Sequence, residues 1–210
     1  PRVSHVAPCT RLYLGVVVTP LIRDEDHGAA RAPDEGNRAI KPKTKLIVRT
    51  DLPIPSSVLA SAFVLREMCE LARSVRARVR VDEVYLDAVY TNPPKTACLL
   101  GPEFIVTSSL TKVYGLSGLR CGWILAEPGL ARAMWRLNDL FASIPAHLAE
   151  LLSVVALEHL EQIRDRARRI VEADRALLRD FLNRQKGISA PRTEFGTTAI
   201  LRLAKGNVDD

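Results

Sequence analysis

An α/β fold with a mostly parallel, helix-covered sheet is what this sequence predicts, on three observations. Short β-branched apolar runs recur at KLIVRT (45–50), RVRVDEVY (78–85) and FIVTSS (104–109). The first two flank a segment, 58–76, whose apolar residues recur at helical spacing. The second and third runs end in polar residues, as strands do where a ligand gathers at the carboxyl edge of a parallel sheet.

The first forty residues carry the weakest pattern. VVV (16–18) reads as a strand, and the longest apolar run, YLGVVVTPLI (13–22), is broken by Pro20. No run approaches the ~20 residues of a membrane span. The polar, Gly- and Pro-containing stretch 23–43 reads as surface loops. KLIVRT (45–50) then fits a buried strand, and DLPIPSS (51–57), with two prolines, a turn. Helix is expected over 58–76, where Val58, Phe63, Leu65, Met68, Leu71 and Ala72 share a face. Strands follow at 78–85 and 104–109. GWILAEP (122–128) is a further short strand closed by Pro128, which also suits the first turn of a helix over 128–141. One long helical region is expected from about Ala146 to Gln185, with a basic face of Arg164, Arg166, Arg168, Arg169, Arg175 and Arg179. Interleaved acids make that face a solvated one. Gly187 and Pro191 end it, and TTAILRL (197–203) is the last strand.

Composition is that of an ordinary globular protein: 210 residues, 47% hydrophobic and 26% charged, with a net charge of +6. The four cysteines, Cys9, Cys69, Cys98 and Cys121, form no CxxC pair and do not cluster with the histidines. No metal site is therefore expected, and a reducing cytoplasm is the expected location.

The chemistry concentrates in SSLTKVYGLSGLRCGW (108–123). Lys112 alone would read as a surface lysine, Tyr85 alone as a packed aromatic, and Asp82 with Glu83 as a solvated strand end. GLSG lacks the GK[ST] of a P-loop. Together they offer more. Ser108, Ser109 and Thr111 supply hydroxyls, and Gly115 and Gly118 allow a close backbone approach. Arg120 is a permanent planar cation suited to phosphate, and Lys112 is a latent nucleophile. A phosphate-bearing aldehyde such as pyridoxal phosphate would satisfy them all. Such a ring also needs an acidic partner for its nitrogen. Asp82 ends the preceding strand, and Tyr85 follows at a spacing that reaches a ring hydroxyl.

VDEVYLDAVY (81–90) with SSLTKVYGLSGLRCGW resembles the class I/II aminotransferases of the fold-type I pyridoxal-phosphate enzymes. Their D-x-x-Y and S-x-x-K-x-x-G-x-x-G-x-R are met in full by Asp82, Tyr85, Ser109, Lys112, Gly115, Gly118 and Arg120. The resemblance covers roughly Lys45 to Leu203. It implies a three-layer, mostly parallel sheet with helices on both faces, plus part of a smaller α+β C-terminal domain. The division it implies is a partial cofactor-binding large domain over 1–155 and a linking helix with a partial small domain over 156–210. It implies that Lys112 carries pyridoxal 5'-phosphate as a Schiff base and moves the α-carbon proton. Asp82 would meet the ring nitrogen, Tyr85 the ring hydroxyl, and Ser109 and Arg120 the phosphate. The implied activity is amino transfer between an amino acid and a 2-oxo acid, in a homodimer. The alternatives are a lyase or decarboxylase on the same fold, or a truncated homologue without catalysis. An aminotransferase-like regulator is ranked last, since no winged-helix segment is present and nucleic acid is not an expected partner.

Two departures from the pattern stand out. The family's N-P-[TS]-G reads Ile54-Pro55-Ser56-Ser57 here, so an asparagine becomes isoleucine and a glycine becomes serine, which is expected to strain the turn. Neither a phosphate loop nor a stacking aromatic can be placed in residues 1–44, and the substrate-carboxylate arginine of the family is not assigned to Arg202. A fragment lacking the N-terminal part and the C-terminal end is the expectation.

Overall fold

Alternation of valine with arginine decides how the centre of the sheet is built. In the computed structural model, which describes residues 40–52, 57, 59–141, 144–190, 195–199 and 201–203, RVRVD forms β2 (Arg78–Asp82). Val79 and Val81 are fully buried on one face, while Arg78, Arg80 and Asp82 are half-buried on the other. β1 (Leu46–Thr50) and β3 (Phe104–Ser109) flank it in parallel, and β4 (Gly122–Leu125) closes the row antiparallel to β3. The register sets Thr50 opposite Asp82, Asp82 opposite Thr107, and Ser109 opposite Gly122. The mostly parallel sheet read from the sequence is therefore present.

α1 (Ala62–Ser74) covers the valine face. Its Leu65, Cys69 and Ala72 pack with Ile47, Val79, Val81, Phe104 and Val106 in one core. The helix begins at Ala62 and not at 58, because Ser61 caps it: the Ser61 hydroxyl accepts the Val64 N–H at 3.3 Å. The opposite face is the more open one: there Leu46 and Val48 are 47% and 55% exposed. β1, expected as a buried strand, is thus buried on one side only.

α2 (Pro128–Phe141) starts at Pro128 as the sequence predicts. The single long helix expected from 146 to 185 is instead two, α3 (His147–Glu158) and α4 (Leu160–Arg184), broken where His159 leaves helical geometry at φ −111°, ψ 24°. The last strand is shorter than read: β6 (Arg202–Leu203) pairs with β5 (Ile188–Ser189). The strand read at 16–18 lies outside the described residues, as do Val58 and Ile54.

A second core lies under the strand ends. Leu52, Tyr85, Ala88, Val89, Leu110, Val113 and Tyr114 pack with Ala156 of α3. α4 is tied to it by a cation. Arg164 donates to the carbonyls of Asp87 (3.2 Å) and Val89 (3.1 Å) and lies over the Tyr90 ring, 5.8 Å from its centroid. Arg175 donates to the Gly196 carbonyl at 2.6 Å. The basic face read as wholly solvated thus turns two of its arginines inward, because free carbonyls in turns offer them partners.

Two predictions follow from these contacts. Arg73 holds Glu103 in a two-pronged bond, 2.7 and 3.1 Å, joining α1 to the start of β3. That guanidinium keeps the Glu103 carboxyl at about 2. A depressed folded-state value stabilises the protein above the unfolded carboxylate range and ceases to do so as pH falls towards 2. Glu103→Gln will therefore flatten the fall in melting temperature between about pH 5 and pH 2, read by thermal denaturation. Arg164→Leu leaves two turn carbonyls without their cation and will cost about 2 kcal/mol in urea unfolding, of which Arg164→Lys will restore part.

Candidate functional site

The strand that carries Asp82 stops there because the backbone turns immediately after it. The Glu83 N–H donates to the Thr107 carbonyl (2.8 Å), and the Leu86 and Ala88 N–H groups donate to the carbonyls of Glu83 and Tyr85. Glu83 itself is not the solvated strand end that it suggests in isolation. It is buried, and its Oε1 accepts the Ala97 N–H at 2.7 Å. Burial raises its carboxyl above the ordinary range, against those bonds. Glu83 braces the turn to the segment before β3, which leaves Asp82 half-buried at the open face.

Tyr85 is 7% exposed and packs in the second core. Burial, with the Asp82 charge nearby, raises its hydroxyl above the usual tyrosine value, so it stays protonated and able to donate. Tyr114 donates to Asp87 Oδ2 at 2.7 Å and locks the same turn from the lysine side.

The lysine loop is held by its apolar members. Leu110, Val113 and Tyr114 are buried, the Leu110 N–H donates to the Cys121 carbonyl (3.1 Å), and the Leu116 N–H to the Leu110 carbonyl (3.0 Å). Gly115 takes φ +70°, where a side chain would be strained. Gly118 is unconstrained, but Gly122 is not: a Cβ there would lie 2.9 Å from the Ser108 carbonyl oxygen. That glycine lets β4 lie against β3, a role the sequence reading did not give it. Ser109 Oγ accepts the Thr111 N–H (3.3 Å) and shapes the first step of the loop.

Lys112 and Arg120 are both exposed, and neither side chain has an ion pair or hydrogen bond among the described residues. Arg120 stands at φ +53°, outside the usual range for a side-chain-bearing residue. Ser57, in the position where the pattern has glycine, also takes a left-handed φ of +49°, the strain its identity predicts. Two cations without a partner among the described residues, in the loop that follows Ser109, with Asp82 and Tyr85 at the adjacent strand end, suit a molecule that bears both an anionic group and a carbonyl. Pyridoxal phosphate has that donor and acceptor pattern.

One neighbour was not anticipated. Arg80 Nη2 lies 3.6 Å from Asp82 Oδ2 and donates to Thr107 Oγ1 at 3.3 Å. The signal was in RVRVD, whose period of two puts Arg80 and Asp82 on one face.

Comparison with known proteins gives a consistent answer. The chain is 25% identical over 198 residues to capreomycidine synthase of Streptomyces vinaceus, covering 90% of this chain and 49% of that protein. It is 24% identical over 173 residues to the aspartate/prephenate aminotransferase of Cereibacter sphaeroides, covering 80% and 43%. Among solved structures, a PLP-dependent aminotransferase from Streptococcus suis superposes with a TM-score of 0.72 at 25% identity, over 79% of this chain and 44% of that one. The chain thus spans about half, or less, of the length of each of these proteins. The model of the family described as aminotransferase class I and II matches residues 16–204, and the chain belongs to that family.

Proposed function

We propose that this protein is a pyridoxal-phosphate-dependent aminotransferase, moving an amino group between an amino acid and a 2-oxo acid. The observation that carries this reading is a pair of exposed cations, Lys112 and Arg120, without side-chain partners among the described residues, in a loop that starts at the end of β3, beside the Asp82 end of β2. Two of the three proteins compared above are named as aminotransferases, which favours amino transfer over the lyase alternative.

Pyridoxal phosphate, when bound, supplies an aldehyde for an amine and a ring that delocalises an electron pair. On this reading the chain's own residues do the rest. The Lys112 amine would hold the cofactor through its aldehyde and, as a free amine, would move a proton at the substrate α-carbon. Positioned acid–base help of that kind is worth ~10²–10⁴ in rate. Arg120 and Ser109 hold the phosphate, with a guanidinium supplying two parallel donors. The Asp82 carboxylate orients the ring nitrogen, and the Tyr85 hydroxyl donates to the ring oxygen.

A homodimer is part of the proposal. Leu148, Leu151, Leu152, Val154 and Val155 of α3 are all about half exposed or more, a surface that favours a protein partner. The chain divides, on the same reading, into a partial large domain over 1–155 and a linking helix with a partial small domain over 156–210, and the helix break at His159 favours a joint near there. The unpaired thiols of Cys69, Cys98 and Cys121 favour a reducing cytoplasm. No described helix is long and apolar enough to cross a membrane.

The test is a titration of the purified chain with pyridoxal phosphate, followed by visible absorption. Wild type will show a saturable band and Lys112→Ala will not. Amino acids added to the loaded protein will then discharge the band in step with release of a 2-oxo acid. The same band in both proteins, or none in either, overturns the proposed activity while leaving family membership intact.

A further inference from the structure

β2 has two chemically different faces. Val79 and Val81 are buried under α1, while Arg78, Arg80 and Asp82 line the open side. Asp82 does not stand alone there. Its Oδ1 accepts the Val84 N–H at 3.3 Å, and its Oδ2 faces Arg80 Nη2 at 3.6 Å. Arg80 is fixed from the next strand by its bond to Thr107 Oγ1 at 3.3 Å. The two charged side chains are 33% and 30% exposed, so solvent screens the pair only in part. The carboxylate that the proposed function assigns to a ring nitrogen thus already has a cation at its outer oxygen.

We infer that Arg80 is a positioning residue that contests Asp82 with the pyridine nitrogen, and so sets how strongly the ring is held protonated. The inference rests on the cofactor reading of this site. A guanidinium does not lose its proton at any ordinary pH. A protonated ring nitrogen brought to Asp82 therefore places two positive charges around one carboxylate, and they repel each other across a partly shielded gap. A ring without that nitrogen meets no such repulsion. Arg80 weakens the hold on the protonated form and leaves the rest of the cofactor's contacts untouched. A weaker hold means a weaker pull on the electron pair released at the substrate α-carbon, a tuning exerted through Asp82.

The experiment uses the full chain and two probes. One is pyridoxal phosphate. The other is its 1-deaza analogue, in which carbon replaces the ring nitrogen. Dissociation constants are measured for wild type, Arg80→Leu, Arg80→Gln and Arg80→Lys by quenching of tryptophan fluorescence. The inference expects Arg80→Leu to raise the preference for pyridoxal phosphate over the analogue about tenfold. Arg80→Gln can keep the bond to Thr107 without the charge and gives the same result should the leucine variant fold poorly. Arg80→Lys stays near wild type. A merely structural role moves both affinities together, and an unchanged ratio in the leucine and glutamine variants overturns the inference while the cofactor reading stands. Binding of pyridoxal phosphate by the neutral variants but not by wild type supports it in its strongest form. Binding of neither probe by any of the proteins overturns both readings.

Discussion

The parallel pairing of β2 with β3 is the constraint on which the site depends. Parallel strands end on the same side, and neighbours lie ~4.8 Å apart. Asp82 opposite Thr107 therefore brings the D-x-x-Y turn and the lysine loop to one edge, although 30 residues separate Asp82 from Lys112 in the chain. The register is held by burial on one face. Val79, Val81, Phe104 and Val106 are all but inaccessible, and a slip of one residue would turn each of them to the open side. The polar residues at the strand ends are placed by the apolar ones behind them.

Much of this was legible in advance, for physical reasons. β3 and α2 begin and end where their apolar spacing and Pro128 place them. The candidate site residues were read from their chemistry, since few ligands ask at once for an amine, a guanidinium, hydroxyls and a carboxylate. What stayed hidden depended on tertiary contact. Glu83 looks like a solvated neighbour of Asp82 until Ala97 arrives from 14 residues away to claim its oxygen. The break at His159 has no proline or glycine to announce it. Arg164 and Arg175 resemble the rest of a basic helix face until turn carbonyls capture them. The start of α1 turned on a single serine hydroxyl that competed with three further residues of helical pattern.

Charge does much of the fine placement in this molecule. Arg164 carries α4 to the Asp87–Val89 turn, Arg73 carries α1 to β3, and Arg80 bridges Asp82 and β3. Each is an arginine reaching across a boundary between elements, where its long stem spans the gap and its planar head meets more than one acceptor. The same type of residue at Arg120 has no side-chain partner among the described residues.

α3 buries only Ser153 and Ala156 and leaves leucine and valine uncovered around most of its circumference. A helix of that kind gains little by folding alone. If a second surface covers it, the free energy of that contact enters the unfolding equilibrium, and resistance to heat and denaturant becomes a function of how much protein is in the tube. Dilution would then act on this chain as a mild denaturant, with no bond inside the subunit changed.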